Sequence, residues 1–167
     1  MKSVSFILMT LITSSLLSQE NVPSDFNKEL QKYYDKDFPT ISTTEANKKL
    51  NEANVYFLDV REMKEYAVSH LPGAKFYGGD KKNEELLKSI PKNAEIIVYC
   101  SIGYRSQKAG KELKKLGYKN VKNMYGGIFQ WFNENKKVVN SENEPVQKVH
   151  TYNEKWSKWV TRGEKVY

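Results

Sequence analysis

The sequence predicts an α/β fold: a parallel sheet covered by helices on both faces. Two observations carry this. Short apolar runs, Val55 to Leu58 and Ile96 to Val98, read as strands buried on both sides. Segments with helical spacing separate them, and strands alternating with helices define a parallel sheet. A third observation centres the fold on one point. The only cysteine, Cys100, stands at the carboxyl end of the Ile96 strand, just before a helical pattern.

Residues 1–18 have the pattern of an export signal. Lys2 supplies a positive start, and Val4 to Leu17 form a 14-residue apolar stretch, short of the ~20 needed to span a bilayer. The cleavage site is poor, so an uncleaved anchor is the alternative, and the expected location is periplasmic or extracellular. Residues 19–40 are polar, with Pro23, Pro39 and the aromatics Tyr33, Tyr34 and Phe38. They read as a spacer plus a short helix packed on the domain. Ser42-Thr43-Thr44-Glu45 is a capping box opening a helix of about ten residues.

The Val55 strand ends in Asp59-Val60-Arg61-Glu62, and a short helix spans Met63 to Val68. His70-Leu71-Pro72-Gly73-Ala74 is a turn, because proline cannot continue a helix. Gly78-Gly79-Asp80 is a loop, Glu84 to Ile90 a helix ended by Pro91, and Gln107 to Leu116 a helix closed by Gly117. Val121 and Met124 mark a strand, and Gly126-Gly127 breaks the chain before an aromatic helix with Ile128, Trp131 and Phe132. Residues 135–167 form a carboxyl-terminal extension, with a helix at Asn153 to Val160, whose Trp and Tyr residues are expected to pack on the domain.

A chain of 167 residues with 13% aromatics holds one domain with a real core. The net charge is +7, or +6 without residues 1–18, which contain only Lys2. No run of Lys/Arg exceeds two residues, so the excess reads as a solvated basic surface rather than a nucleic-acid face. Such a surface attracts small anions.

One cysteine cannot form an internal disulfide, and it is either inert and buried or kept for its reactivity. The loop that follows favours reactivity. A thiol attacks as its thiolate, and an ordinary thiol is only ~3% thiolate at pH 7. Backbone N–H groups of a tight loop, the dipole of the following helix and the charge of Arg105 all favour the ionised form. Gly103 admits the backbone conformation such a loop needs. His70 and His150, the two histidines, lie in no motif that pairs them with Cys100, which argues against a cysteine protease. Without a second cysteine, a thioredoxin-like C-x-x-C and an internal resolving thiol are excluded. Any adduct on Cys100 must pass to another molecule.

From about Ile41 to Glu134 the chain resembles a single rhodanese domain. The matching pieces are Leu58-Asp59-Val60-Arg61-Glu62, His70-Leu71-Pro72-Gly73-Ala74, Cys100-Ser101-Ile102-Gly103-Tyr104-Arg105-Ser106, and Gly117-Tyr118-Lys119-Asn120-Val121 running on to Gly126-Gly127-Ile128 and Trp131. The resemblance implies a rhodanese-like α/β fold with a five-stranded, mostly parallel sheet. It also implies transfer of sulfane sulfur through a cysteine persulfide. Carried over, Cys100 is the nucleophile. Ser101, Ile102, Gly103, Tyr104 and Arg105 form the anion cradle, with Arg105 orienting the donor. Asp59 either tunes the site or makes a structural hydrogen bond. Arg61 is a further donor-binding candidate, or pairs within the fold, for example with Glu65. His70 braces a turn, and Tyr104 lines the pocket mouth or is simply exposed. Relatives acting on phosphate or arsenate resemble C-x5-R, whereas this chain has the shorter C-x4-R. The residue after the cysteine is the neutral Ser101, where some active relatives carry a basic one. This puts a persulfide, a polysulfide or protein-bound sulfur beside thiosulfate as donor.

The expected function is therefore sulfur transfer from a small sulfur-containing anion or persulfide to a thiol or cyanide acceptor. No metal, cofactor or nucleic acid is expected, and the chain is expected to be a monomer. The alternative is a non-catalytic binding module that docks a protein partner.

Overall fold

A computed structural model describes residues 21–78 and 84–167. The expected export signal, and Gly79 and Asp80 of the expected loop, lie outside the described residues. In chain order the elements begin with α1 (Ser24–Leu30), β1 (Thr40–Ile41), α2 (Thr43–Lys48), β2 (Val55–Asp59), α3 (Met63–Val68) and β3 (Lys75–Phe76). Next come α4 (Glu84–Ser89), β4 (Glu95–Tyr99), α5 (Tyr104–Lys115), β5 (Asn120–Met124) and α6 (Gly127–Asn133). The chain ends with β6 (Val138–Val139), β7 (Pro145–Val146), β8 (Lys148–His150), α7 (Glu154–Ser157) and β9 (Glu164–Val166).

The central sheet has five strands in the order β1-β5-β4-β2-β3, and every pairing is parallel. Side chains alternate along each strand and so supply two cores. Phe57, Ile97, Tyr99 and Met124 face α1, α6 and the carboxyl-terminal segment, while Leu58, Ile96, Val98 and Val121 face Ala109 and Leu113 of α5. Burial on both faces explains why β2 and β4 read as unbroken apolar runs.

The capping box at Ser42 is present, with the Ser42 hydroxyl accepting the Glu45 N–H at 3.1 Å. The helix it opens has six residues rather than about ten. The last helix, α7, has four residues, and the chain continues in tight turns that place Trp159 against Phe26 with ring centroids 5.2 Å apart. The expected carboxyl-terminal extension contains a hairpin, β6–β7, and a parallel pair, β8–β9. Val139 of the hairpin exchanges two backbone hydrogen bonds with His70, whose ring stacks on Tyr66. Among the described residues, no helix is long and apolar enough to cross a membrane.

Asp59 and Arg61 end β2 as a wholly buried ion pair. The Asp59 carboxylate accepts the Arg61 backbone N–H at 3.0 Å and the guanidinium Nη2 at 2.6 Å, and Nη2 also donates to the Ser69 carbonyl at 2.6 Å. The pair clamps the strand end to the turn that follows α3. Burial works against the Arg61 charge, but Asp59 more than restores it. Breaking one half of a buried pair leaves the other charge stranded. Asp59→Asn should therefore lower stability by about 3–5 kcal/mol in urea unfolding. A loss below about 1 kcal/mol would show that the clamp is dispensable.

Candidate active site

The cysteine loop is shorter than the sequence indicates. Helix α5 begins at Tyr104, three residues before the expected Gln107, because Gly103 takes φ +104° and turns the chain directly into the first helical turn. The loop is thus Cys100 to Gly103, and Tyr104 and Arg105 belong to the helix. Their N–H groups, like all those of a first turn, have no acceptor within the helix.

Each carbonyl of this loop is tied to a group elsewhere in the fold. The Cys100 and Ser101 carbonyls accept the N–H groups of Ile128 and Phe129, at 2.9 and 3.1 Å. The Ile102 carbonyl accepts the Tyr34 hydroxyl at 2.8 Å, and the Gly103 carbonyl accepts the Asn123 amide at 2.8 Å. In a trans peptide the next N–H points opposite to the carbonyl. Tying down the carbonyls therefore aims the amides of Ser101 to Tyr104 away from these anchors. The Gly103 N–H shows the result, donating to the Cys100 sulfur at 3.1 Å. Burial, and then the Cys100 sulfur, push the Tyr34 hydroxyl well above its ordinary pKa, so it remains a donor. Gly127 permits the approach of α6: it sits at φ +57°, and a Cβ there would lie 2.4 Å from the Cys100 carbonyl oxygen.

Cys100 is a free thiol, 1% exposed, recessed in a partly open pocket of about 230 Å³. Ser101, Ile102, Tyr104 and Arg105 line this pocket with Tyr33, Tyr152 and Trp156. Tyr104 is 44% exposed, which places it at the mouth. Asp59 and Arg61 do not line the pocket. Both side chains are fully buried on each other, so Arg61 is not placed to bind a donor, and its partner is Asp59 rather than Glu65.

Glu65 instead holds Arg105, through two hydrogen bonds of 2.7 and 2.8 Å, and accepts the Ser101 hydroxyl at 3.1 Å. Burial alone would raise the Glu65 pKa, but the bonds and charge of Arg105 overcome it and hold the carboxylate below its usual range. Burial likewise opposes the Arg105 charge, and Glu65 and then the Cys100 sulfur more than offset it. Sequence reasoning assigned no site role to Glu65, Tyr33, Tyr34, Asn123, Tyr152 or Trp156. Glu65 has only the spacing of a helix cap to Glu62 as a signal, and the aromatics lie outside any motif. Among the described residues there is no cluster of three or more His, Cys, Asp or Glu able to hold a metal ion.

Residues 42–134 match the family described as the Rhodanese-like domain, and the chain belongs to that family. It is 38% identical over 88 residues to the adenylyltransferase and sulfurtransferase UBA4 of Saccharomyces cerevisiae, covering 47% of this chain and 20% of that protein. It is 31% identical over 96 residues to the tRNA uridine(34) hydroxylase of Enterobacter sp., covering 54% of this chain and 28% of that one. The chain thus spans between a fifth and a third of the length of these curated relatives. The crystal structure of the BH2092 protein from Bacillus halodurans has the same fold, with a TM-score of 0.58, 28% identity, and coverage of 69% of this chain and 86% of that one.

Gly127→Ala brings a strained backbone and a steric clash to the Cys100 carbonyl, and should lower stability by about 2 kcal/mol or more while slowing alkylation of Cys100. An equally stable variant whose Cys100 is alkylated at the wild-type rate would show that the contact yields without cost. Burial depresses the pKa of His70 and His150, so the folded state holds fewer protons than the unfolded state. Their contribution is intact above about 6.5, the unfolded value, and is lost as pH falls through the lower folded values. Glu65 behaves alike, its contribution intact above about 4.3 and lost below. Tm should fall in two limbs on acidification, and Glu65→Gln should flatten the second.

Proposed function

We propose that the protein is a sulfurtransferase that carries sulfane sulfur on Cys100 as a persulfide. The observation that carries this reading is the thiol recessed in a pocket with the Gly103 N–H on its sulfur. The thiolate attacks the outer sulfur of a persulfide or thiosulfate donor. The new Sγ–S bond forms as the donor S–S bond breaks, and its electron pair leaves with the donor's thiolate or sulfite. A thiol or cyanide then attacks the outer sulfur and regenerates the Cys100 thiolate. The loop amides supply hydrogen bonds to the anions that arise at each step. Membership of the rhodanese-like family and the sulfurtransferase named among the relatives support the reading. The C-x4-R spacing and the solitary cysteine weigh against phosphatase and arsenate-reductase chemistry. The apolar stretch within residues 1–18 supports an exported location.

Treatment with thiosulfate, polysulfide or a low-molecular-weight persulfide should add about 32 Da, one sulfur atom, visible by intact mass and removed by cyanide. Cys100→Ser should abolish both the adduct and turnover. A wild-type protein that takes no sulfur from any of these donors would instead fit a binding module, and a partner interaction that survives Cys100→Ser would then be expected.

A further inference from the structure

Three of the eight residues lining the pocket over Cys100 come from segments outside the matched domain. Tyr33 comes from the turn after α1, Tyr152 from the turn after β8, and Trp156 from α7, whereas residues 42–134 match the family. These aromatics are held in place. Tyr33 meets both Tyr104 and Trp156 edge-on with centroids 5.8 Å apart. Tyr152 adopts φ +67°, a conformation that L-residues resist, with its N–H on the His150 Nδ1 at 3.0 Å. The Phe26–Trp159 stack joins the two arms behind them.

Charge at this pocket is balanced internally. Among the described residues, Arg105 is the only lining cation, and its guanidinium is committed to the buried Glu65 carboxylate and the Ser101 hydroxyl. The Tyr152 ring lies 5.3 Å from it. A dianion entering here gives up hydration and meets a neutralised pair rather than a free positive charge, which is unfavourable. An apolar body, by contrast, gains by covering Tyr33, Ile102, Tyr104, Tyr152 and Trp156. At about 230 Å³ the pocket is smaller than most drug-sized sites and suits a body of roughly one ring.

We infer that this pocket selects an organic sulfane donor with an apolar body, an aryl or alkyl persulfide or thiosulfonate, over inorganic thiosulfate. Tyr33, Tyr152 and Trp156 set the preference. The inference rests on the sulfur-transfer reading and names its substrate class. With a thiosulfonate, the Cys100 thiolate takes the terminal sulfur, the donor S–S bond breaks, and its electron pair departs with the sulfinate, so no further oxidant or reductant is required.

The test compares benzenethiosulfonate, methanethiosulfonate and thiosulfate as donors to the full chain. Each kcat/KM is divided by that donor's rate with a free small thiol, to remove intrinsic reactivity. The aryl donor should exceed the other two by about tenfold or more. Trp156→Ala and Tyr152→Ala, each checked for folding by circular dichroism, should lower the aryl-to-methyl ratio by about fivefold or more. Glu65→Gln uncovers the Arg105 charge and should raise the thiosulfate-to-aryl ratio by a similar factor. Equal normalised rates for the three donors, or aryl-to-methyl ratios unmoved by both aromatic substitutions, overturn this inference and leave the transfer reading standing. Sulfur uptake from none of the donors overturns both.

Discussion

Four successive carbonyls, from Cys100 to Gly103, are each held by a donor from elsewhere in the fold, and the rest of the site depends on this. Two of the donors are the first free amides of α6, one is the Tyr34 hydroxyl, and one is the Asn123 side chain. Peptide planarity converts four anchored oxygens into amides aimed away from their anchors. The loop needs no rigidity of its own, because α6, β5 and the amino-terminal segment impose its shape from outside. Gly103 and Gly127 are required for different reasons: the first turns the chain into α5, and the second lets α6 approach the loop backbone.

Two ion pairs divide the remaining work. Asp59 and Arg61 share the end of β2 with no access to the pocket, and they hold the β2 end to the turn preceding His70. Glu65 and Arg105 face each other across α3 and α5, and Ser101 joins them through its hydroxyl. The second pair keeps a guanidinium beside the sulfur while cancelling much of its long-range field. The site therefore has a local hydrogen-bond donor surface without a strong net charge, although the chain as a whole carries +7.

The terminal arms change the character of the site more than its chemistry. Cys100 and its loop belong to the matched domain, and three of the aromatics lining the pocket around them do not. Phe26 and Trp159 stack, and Asn133 and Phe132 of α6 hold the carboxyl-terminal turn through Trp159, Thr161 and Arg162. This packing is continuous with the core that contains Ile97 and Tyr99, and Tyr33 and Trp156 of the pocket wall pack against that core.

Local patterns in the sequence determined the two central strands, the capping box at Ser42, the turn at His70 to Ala74 and the place of Cys100 at a strand end. Each of these depends on neighbours a few residues apart: apolar runs for strands buried on both faces, a hydroxyl and a carboxylate three residues apart for the cap, and proline for the turn. What pairs with what was decided only by the tertiary structure. Arg61 turns to Asp59 and Arg105 to Glu65, although either guanidinium could satisfy either carboxylate on charge alone. Tyr33, Tyr152 and Trp156 meet over Cys100 although more than a hundred residues separate the first from the others. Such contacts have no periodicity or spacing to mark them, because they arise from how the two ends of the chain cover one face of the sheet.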